Sequence, residues 1–200
     1  MSSLLSQGNK TMNLFTETCA VIFLSFSVYM FWAALRVKKA VKRQSHSGRA
    51  VHVAMLVASF IAAFARFDSW GFLGFQLLRP SLFSGFLGAG VCAGGVAFCF
   101  WARRTLGGNW SGTVTLKRDH ELIQRGPYGL ARHPMYTGIL TGLLGAALTV
   151  GQVGNFLGVA LLTFAMVRKM GLEESYMVRH FGRRYSEYSK KVKRLVPFVY

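Results

Sequence analysis

From Leu82 to Trp101 the chain runs for twenty residues without one charged side chain. A stretch of about 20 apolar residues is what a helix needs to cross a ~30 Å hydrocarbon layer. Inside that layer the backbone has no water to bond to, so it must close its own hydrogen bonds as a helix or a sealed barrel. Four further segments repeat the pattern: Phe15 to Leu35, with Glu17 at its edge; Val51 to Ala65; Met135 to Val150; and Phe156 to Val167. The second continues less cleanly through Trp70 toward Leu78, interrupted by Arg66 and Asp68. The last two are short and separated only by residues 151–155, which reads as a tight helical hairpin. A hydrophobic content of 52%, with 17 Phe and 16% charged residues, agrees with a membrane chain. The fold class expected is all-α: a polytopic integral membrane protein of about five transmembrane helices.

The basic residues divide by side. Six follow the first span (Arg36, Lys38, Lys39, Lys42, Arg43, Arg49), six lie between the third and fourth (Arg103, Arg104, Lys117, Arg118, Arg125, Arg132), and nine follow the fifth. Only Lys10, Arg66 and Arg79 fall elsewhere. Basic loops stay cytoplasmic, so the N-terminus is expected outside and the C-terminus in the cytoplasm, in a bacterial inner membrane or an endoplasmic reticulum. The net charge of +17 is juxtamembrane. It therefore reads as contact with anionic headgroups rather than nucleic acid, for which no recognition module is present. The N-terminal apolar stretch reads as a first anchor, being too long for a cleavable signal. Cys19, Cys92 and Cys99 lack Cys-x-x-Cys spacing and are expected to pack in spans, without a disulfide framework or zinc. Gly88, Gly90, Gly94 and Gly95, and likewise Gly138, Gly142 and Gly145, suit close helix approach. His46 and His52 flank the first basic loop without ligand partners, which disfavours a metal.

The chain reads as a single membrane domain, residues 1–200, with three spans in 1–102 and the chemically equipped half in 103–200. Residues 103–134 depart most from membrane composition. Gly107-Gly108-Asn109-Trp110-Ser111-Gly112 is followed by a polar run and by Gly126-Pro127-Tyr128, and such turn residues bring backbone groups to a surface. Glu173 to Arg194 has the pattern of an amphipathic helix on the cytoplasmic face, with Tyr176, Phe181, Tyr185, Tyr188 and Val192 on one side and basic residues on the other, stopped by Pro197.

Four clusters share that face: His120-Glu121, Tyr128, Arg132 to Tyr136, and Glu173-Glu174. The chain has seven acidic residues, two of them adjacent at the mouth of the fifth span. Carboxylates at a membrane boundary are costly and need a partner, so they mark a functional site or a structural ion pair. Arg132, Arg168 and Lys169 are the partners in reach, and the pair could instead cap the first turn of the last helix. The run Leu122-Ile123-Gln124-Arg125-Gly126-Pro127-Tyr128-Gly129-Leu130-Ala131-Arg132-His133-Pro134-Met135-Tyr136-Thr137-Gly138 resembles the signature of the isoprenylcysteine carboxyl methyltransferase and phospholipid methyltransferase superfamily. The resemblance reaches upstream to Leu106-Gly-Gly-Asn-Trp-Ser111 and downstream through Glu173-Glu174, Phe181-Gly182 and Tyr185-x-x-Tyr188 to Pro197-Phe198. It covers about half the chain, from Arg103 onward.

The resemblance implies transfer of a methyl group from S-adenosylmethionine to a lipophilic acceptor at the membrane surface. Carried over by position, the cofactor contacts are His120, Glu121, Leu122, Ile123, Tyr128, His133, Pro134, Met135, Tyr136, Glu173 and Glu174; the catalytic residues are Arg132, His133 and Glu173. Arginine holds the acceptor carboxylate in the isoprenylcysteine branch at a position occupied here by Lys169, beside Arg168. Lysine attracts a carboxylate without gripping it in a planar fork. The acceptor implied is an isoprenylcysteine-like carboxylate. The alternatives are the amine of phosphatidylethanolamine and, in a different class, a non-enzymatic transporter or assembly protein of the same architecture. No oligomeric state is implied.

Overall fold

The computed structural model describes the backbone of residues 2–34, 40–43, 46–110, 115–117 and 121–196, and the side chains within 13–34, 50–110 and 121–196. Among the described residues six α-helices follow one another: α1 (Ser2–Ala34), α2 (His46–Phe64), α3 (Leu82–Leu106), α4 (Pro134–Val150), α5 (Val153–Phe181) and α6 (Arg183–Lys191). Strands β1 (Ala40–Arg43) and β2 (Thr115–Lys117) form an antiparallel ribbon between the two basic loops, a departure from the all-helical expectation. Three helical segments, Asn13–Ala34, Leu82–Asn109 and Val153–Phe181, are long and apolar enough to cross a membrane; Ala50–Phe64 and Pro134–Val150 are shorter apolar helices. Large apolar side chains point outward along α1, α2 and α3, among them Leu24, Phe31, Ile61 and Phe83, as a lipid-facing surface requires.

Glycine decides how closely α3 and α4 pack. A Cβ on Gly88 would stand 2.6 Å from the carbonyl oxygen of Gly145, and one on Gly95 would stand 2.6 Å from that of Gly138. Between lipid tails apolar burial gives helices little reason to associate, so backbone proximity and dispersion carry the contact. Gly90 and Gly94, expected to share this role, face open space instead. Cys19, Cys92 and Cys99 are fully buried in the core around Leu143 and Leu162. Phe23 meets Phe60 edge to face, with ring centroids 5.1 Å apart, tying α1 to α2.

The second span does not continue to Leu78: α2 ends at Phe64, and Gly71–Gly74 forms only a 3-10 turn. The hairpin supplies the reason. Asn155, fully buried at the start of α5, donates to the carbonyls of Ala62 (2.9 Å) and Ala65 (2.9 Å), satisfying groups that the end of α2 leaves open. Gln152 accepts from the Phe67 amide at 2.8 Å and donates to Asp68 at 2.6 Å. The α4–α5 connection is tight because Gly151 adopts a left-handed conformation (φ 81°) that terminates α4.

The C-terminal segment also differs from expectation. The helix read as Glu173 to Arg194 is divided: α5 runs on to Phe181, Gly182 turns the chain at φ 53°, and α6 occupies Arg183–Lys191. Glu173 and Glu174 therefore lie well inside α5 and do not cap a first turn. The last helix stops at Lys191 rather than at Pro197, which lies outside the described residues. The fifth span, expected to end at Val167, belongs to a helix of 29 residues that carries Lys169, Glu173 and Glu174 beyond it.

The two glycine classes should separate on substitution. Gly95→Val is expected to lose about 1–3 kcal/mol or more of stability through overpacking, whereas Gly94→Val is expected to melt within a few degrees of wild type; thermal unfolding in detergent reads both.

Candidate active site

Proline at the first position of α4 makes His133 the residue that enters the helix, and the preceding turn Gly126–Gly129 packs Tyr128 inward. Because α4 and α5 form a hairpin, the start of α4 and the last turns of α5 return to the same end of the bundle. His133 there faces both glutamates. Its Nδ1 is 3.5 Å from Glu173 Oε2 and its Nε2 is 3.2 Å from Glu174 Oε1. Its ring stacks on Tyr136, with centroids 5.4 Å apart and planes 3° from parallel.

The two carboxylates have different neighbours. Glu173 accepts from the Tyr136 hydroxyl at 2.7 Å and lies 3.8 Å from Lys169 Nζ, one helical turn back on α5. Glu174 turns toward the C-terminal segment. Arg132 donates through Nε to Glu174 Oε1 at 2.9 Å, and Arg194 donates to Oε2 through Nε at 3.0 Å and Nη2 at 2.8 Å. Nη1 of Arg132 also donates to the carbonyls of Ser189 and Val192, both at 2.7 Å, which closes the end of α6. The backbone amides of Arg132 and His133 donate to the carbonyls of Lys193 and Arg194, Thr137 donates to that of Leu195, and the Tyr188 hydroxyl donates to that of Tyr128 at 2.6 Å. The tail after α6 is thereby fastened across the loop that precedes α4.

These elements enclose a cavity of roughly 320 Å³, within the range of small-molecule sites. Of the residues expected to form a site, Glu121, Leu122, Ile123, Tyr128, Arg132, His133, Pro134, Met135, Tyr136, Lys169 and Glu173 line it. Glu174 stands behind this wall, holding Arg132, His133 and Arg194. Arg168 is not among the lining residues; its guanidinium lies 3.9 Å from the sulfur of Met55. His120 lies outside the described residues.

Several residues outside the expected set also line the cavity. Tyr185 and Tyr188 appeared only as an apolar helix face, yet both reach the cavity. His52, set aside for want of metal partners, lines it from α2, and Asn109 lines it from the end of α3. The His52 Nε2 and Asn109 Oδ1 atoms are buried without a hydrogen-bond partner. Nothing local in the sequence marks either one, because the helices that aim them meet only in three dimensions. Arg103, read as an interfacial cation, is buried and donates to the carbonyls of Gly107 (2.8 Å) and Ala33 (3.2 Å), binding the ends of α3 and α1 together.

Electrostatics follow from this packing. Burial disfavours a charged His133, but hydrogen bonds with Glu173 and Glu174 and the charge of both outweigh it, so the imidazole titrates above its ordinary value. Burial, with the Glu173 charge second, raises the Tyr128 phenol, and burial pushes Tyr188 up to about 12. Both phenols thus remain neutral donors across the physiological range.

Residues 83–184, about half of the chain, match the phospholipid methyltransferase family. Protein-S-isoprenylcysteine O-methyltransferase B of Arabidopsis thaliana is 30% identical over 98 residues, covering 48% of this chain and 50% of the relative. The protein-S-isoprenylcysteine O-methyltransferase of Schizosaccharomyces pombe is 36% identical over 101 residues, 46% of this chain and 41% of the relative. This chain thus spans half or less of the length of these curated relatives. Among solved structures, the eukaryotic intramembrane Ras methyltransferase (isoprenylcysteine carboxyl methyltransferase) shares the fold at a TM-score of 0.57 and 24% identity, over 78% of this chain and 55% of that one.

A raised His133 value stabilises the fold below the ordinary imidazole value of 6.5, and that contribution is lost as pH rises through the folded value. The gap in melting temperature between wild type and His133→Gln is accordingly expected to be widest near pH 6 and to shrink in alkaline buffer; a gap constant with pH would contradict the charged pairing.

Proposed function

Because this chain belongs to the phospholipid methyltransferase family, we propose that it is an integral membrane methyltransferase that uses S-adenosylmethionine to methylate the carboxylate of an isoprenylcysteine-like lipid. The observation that carries this reading is the convergence of the family-like motifs on one cavity. Arg132 to Tyr136 and Glu173 come from segments about 40 residues apart and line the same wall.

The residues present suit the cofactor. Asn109 Oδ1 is a buried acceptor without a donor, matching an adenine amine or a ribose hydroxyl. Trp110, Tyr128 and Tyr176 supply ring faces for adenine and electron-rich surroundings for a sulfonium, and His133 supplies positive charge for a carboxylate. Met135, Leu122 and Ile123 give apolar contact, and Glu121 and Glu173 give carboxylates for hydroxyl or ammonium groups. When bound, S-adenosylmethionine supplies an already activated methyl group.

The protein's work is therefore alignment and exclusion of water. Glu173 is held by Tyr136, His133 and Lys169, so it cannot swing away when the cavity fills. Arg132 acts by position: its guanidinium, spent on Glu174 and two carbonyls, keeps the C-terminal segment closed over the loop. Lys169 at the cavity wall offers charge to an acceptor carboxylate. Arg168, directed elsewhere, contributes to the same face at longer range. A carboxylate needs no general base, because it is nucleophilic as the anion; an amine would have to lose a proton first. The basic loops support a cytoplasmic site with the N-terminus outside. Lateral access from lipid suits an acceptor with an apolar tail.

His133→Ala and Glu173→Ala are expected to weaken S-adenosylmethionine binding by at least tenfold in detergent while the chain stays folded; unchanged affinity in both would overturn the cofactor assignment. Membranes given methyl-labelled cofactor should yield base-labile, volatile label, the mark of an ester. Base-stable label in lipid would instead identify phosphatidylethanolamine N-methylation.

A further inference from the structure

The cavity is graded along the helix axes, and three helices show the same order. On α2, His52 and Leu56 are four residues apart and share a face; on α4, Tyr136 and Ile139 are three apart; on α5, Met166 and Lys169 are three apart. All six line the cavity. The helices α2 and α4 run away from the basic loops and α5 runs back toward them. In each pair the polar residue is therefore the one nearer the loops, and the apolar residue lies about 4.5–6 Å deeper at 1.5 Å per residue. The result is a ring of His52, Tyr136 and Lys169 above an apolar floor of Leu56, Ile139 and Met166.

Within that ring His52 is set apart. Tyr136 donates to Glu173, and Lys169 lies beside Glu173 and over the Tyr136 ring, 5.6 Å from its centroid. His52 Nε2 is buried and has no hydrogen-bond partner. Leaving a buried ring nitrogen unsatisfied is unfavourable, and His52 lines the cavity, so an occupant that pairs with this imidazole would relieve that cost. Among the described residues, the charges that act on His52 are those of Lys169, Glu173 and Arg168. Glu173 is already engaged by Tyr136, His133 and Lys169, so an ammonium headgroup at this height would meet the Lys169 charge. A carboxylate would meet an N–H of His52 and the Lys169 ammonium together, with its tail on the apolar floor.

We propose that His52 is a substrate-binding residue that, together with Lys169, holds the carboxylate of an apolar-tailed acceptor at the junction of the polar ring and the apolar floor. This rests on the methyl-transfer reading for the identity of the occupant, but the recognition is a binding property and is testable without catalysis. Sharing the load between two side chains from different helices explains how a lysine can serve where a planar fork is lacking.

The test titrates the full chain in detergent with a prenyl thioether carboxylic acid and with its neutral carboxamide, read by tryptophan fluorescence, since Trp110 lines the cavity. Wild type is expected to prefer the acid about tenfold, the size of one hydrogen bond to a charged group. His52→Ala, and His52→Phe as a variant that keeps the volume, should lose most of that preference while binding the carboxamide as wild type does. His52→Gln keeps an N–H and should retain part of it. Preference unchanged in the Ala and Phe variants, or no binding of the acid by wild type, overturns the proposal. Methyl transfer measured on the same preparations separates the two readings. A His52-dependent preference without transfer removes the proposed function and leaves this inference standing; transfer with a His52-independent preference does the reverse.

Discussion

Glu174 organises the cytoplasmic end of this protein. One carboxylate, barely exposed, accepts from Arg132 of the loop before α4, from Arg194 of the tail after α6, and faces the ring of His133. Removing one partner of a buried pair costs about 3–5 kcal/mol because the other charge is left uncompensated. The three cations therefore cannot leave independently. Loop, α5 and tail are joined at one point, and the cavity wall exists because they are.

From that joint the other contacts follow in order. With Arg132 turned to Glu174, its remaining nitrogen reaches the carbonyls of Ser189 and Val192, and the adjacent amides pair with the tail backbone. Tyr185 and Tyr188 are thereby turned into the cavity. His133 then lies between Glu174 and Glu173, so the neighbouring carboxylates divide their labour. One fastens the structure and the other stays at the cavity surface. Two acidic residues side by side in a helix project about 100° apart, which is how one pair serves both purposes.

The opposite end of the bundle depends mainly on the amide side chains of the hairpin instead. Asn155 and Gln152 collect the open carbonyls and the amide at the end of α2, and glycines let α3 and α4 approach backbone to backbone. Amides suit a position near hydrocarbon, where a charge would be costly, and Asp68 keeps its charge in an exposed loop beside Arg66. This rigid end holds the hairpin in register, so that the start of α4 and the last turns of α5 arrive together at the site.

Much of the architecture is legible in the sequence alone, for simple reasons. Apolar length reports a membrane crossing, basic loops report sidedness, and Arg132 to Tyr136 with Glu173-Glu174 form a spaced pattern that resembles a family. Such properties are local, or depend on the chain as a string. The glycine classes were only half legible, because composition marks a small residue but not the face it occupies: Gly95 meets α4 and Gly94 meets open space. The early end of α2 and the places of Arg168 and Arg103 rest on partners dozens of residues away. So does His52, a lone histidine in sequence that becomes a cavity residue only when α2 packs on α5. Periodicity and charge report how a segment meets its solvent; which segment it then meets is decided by packing.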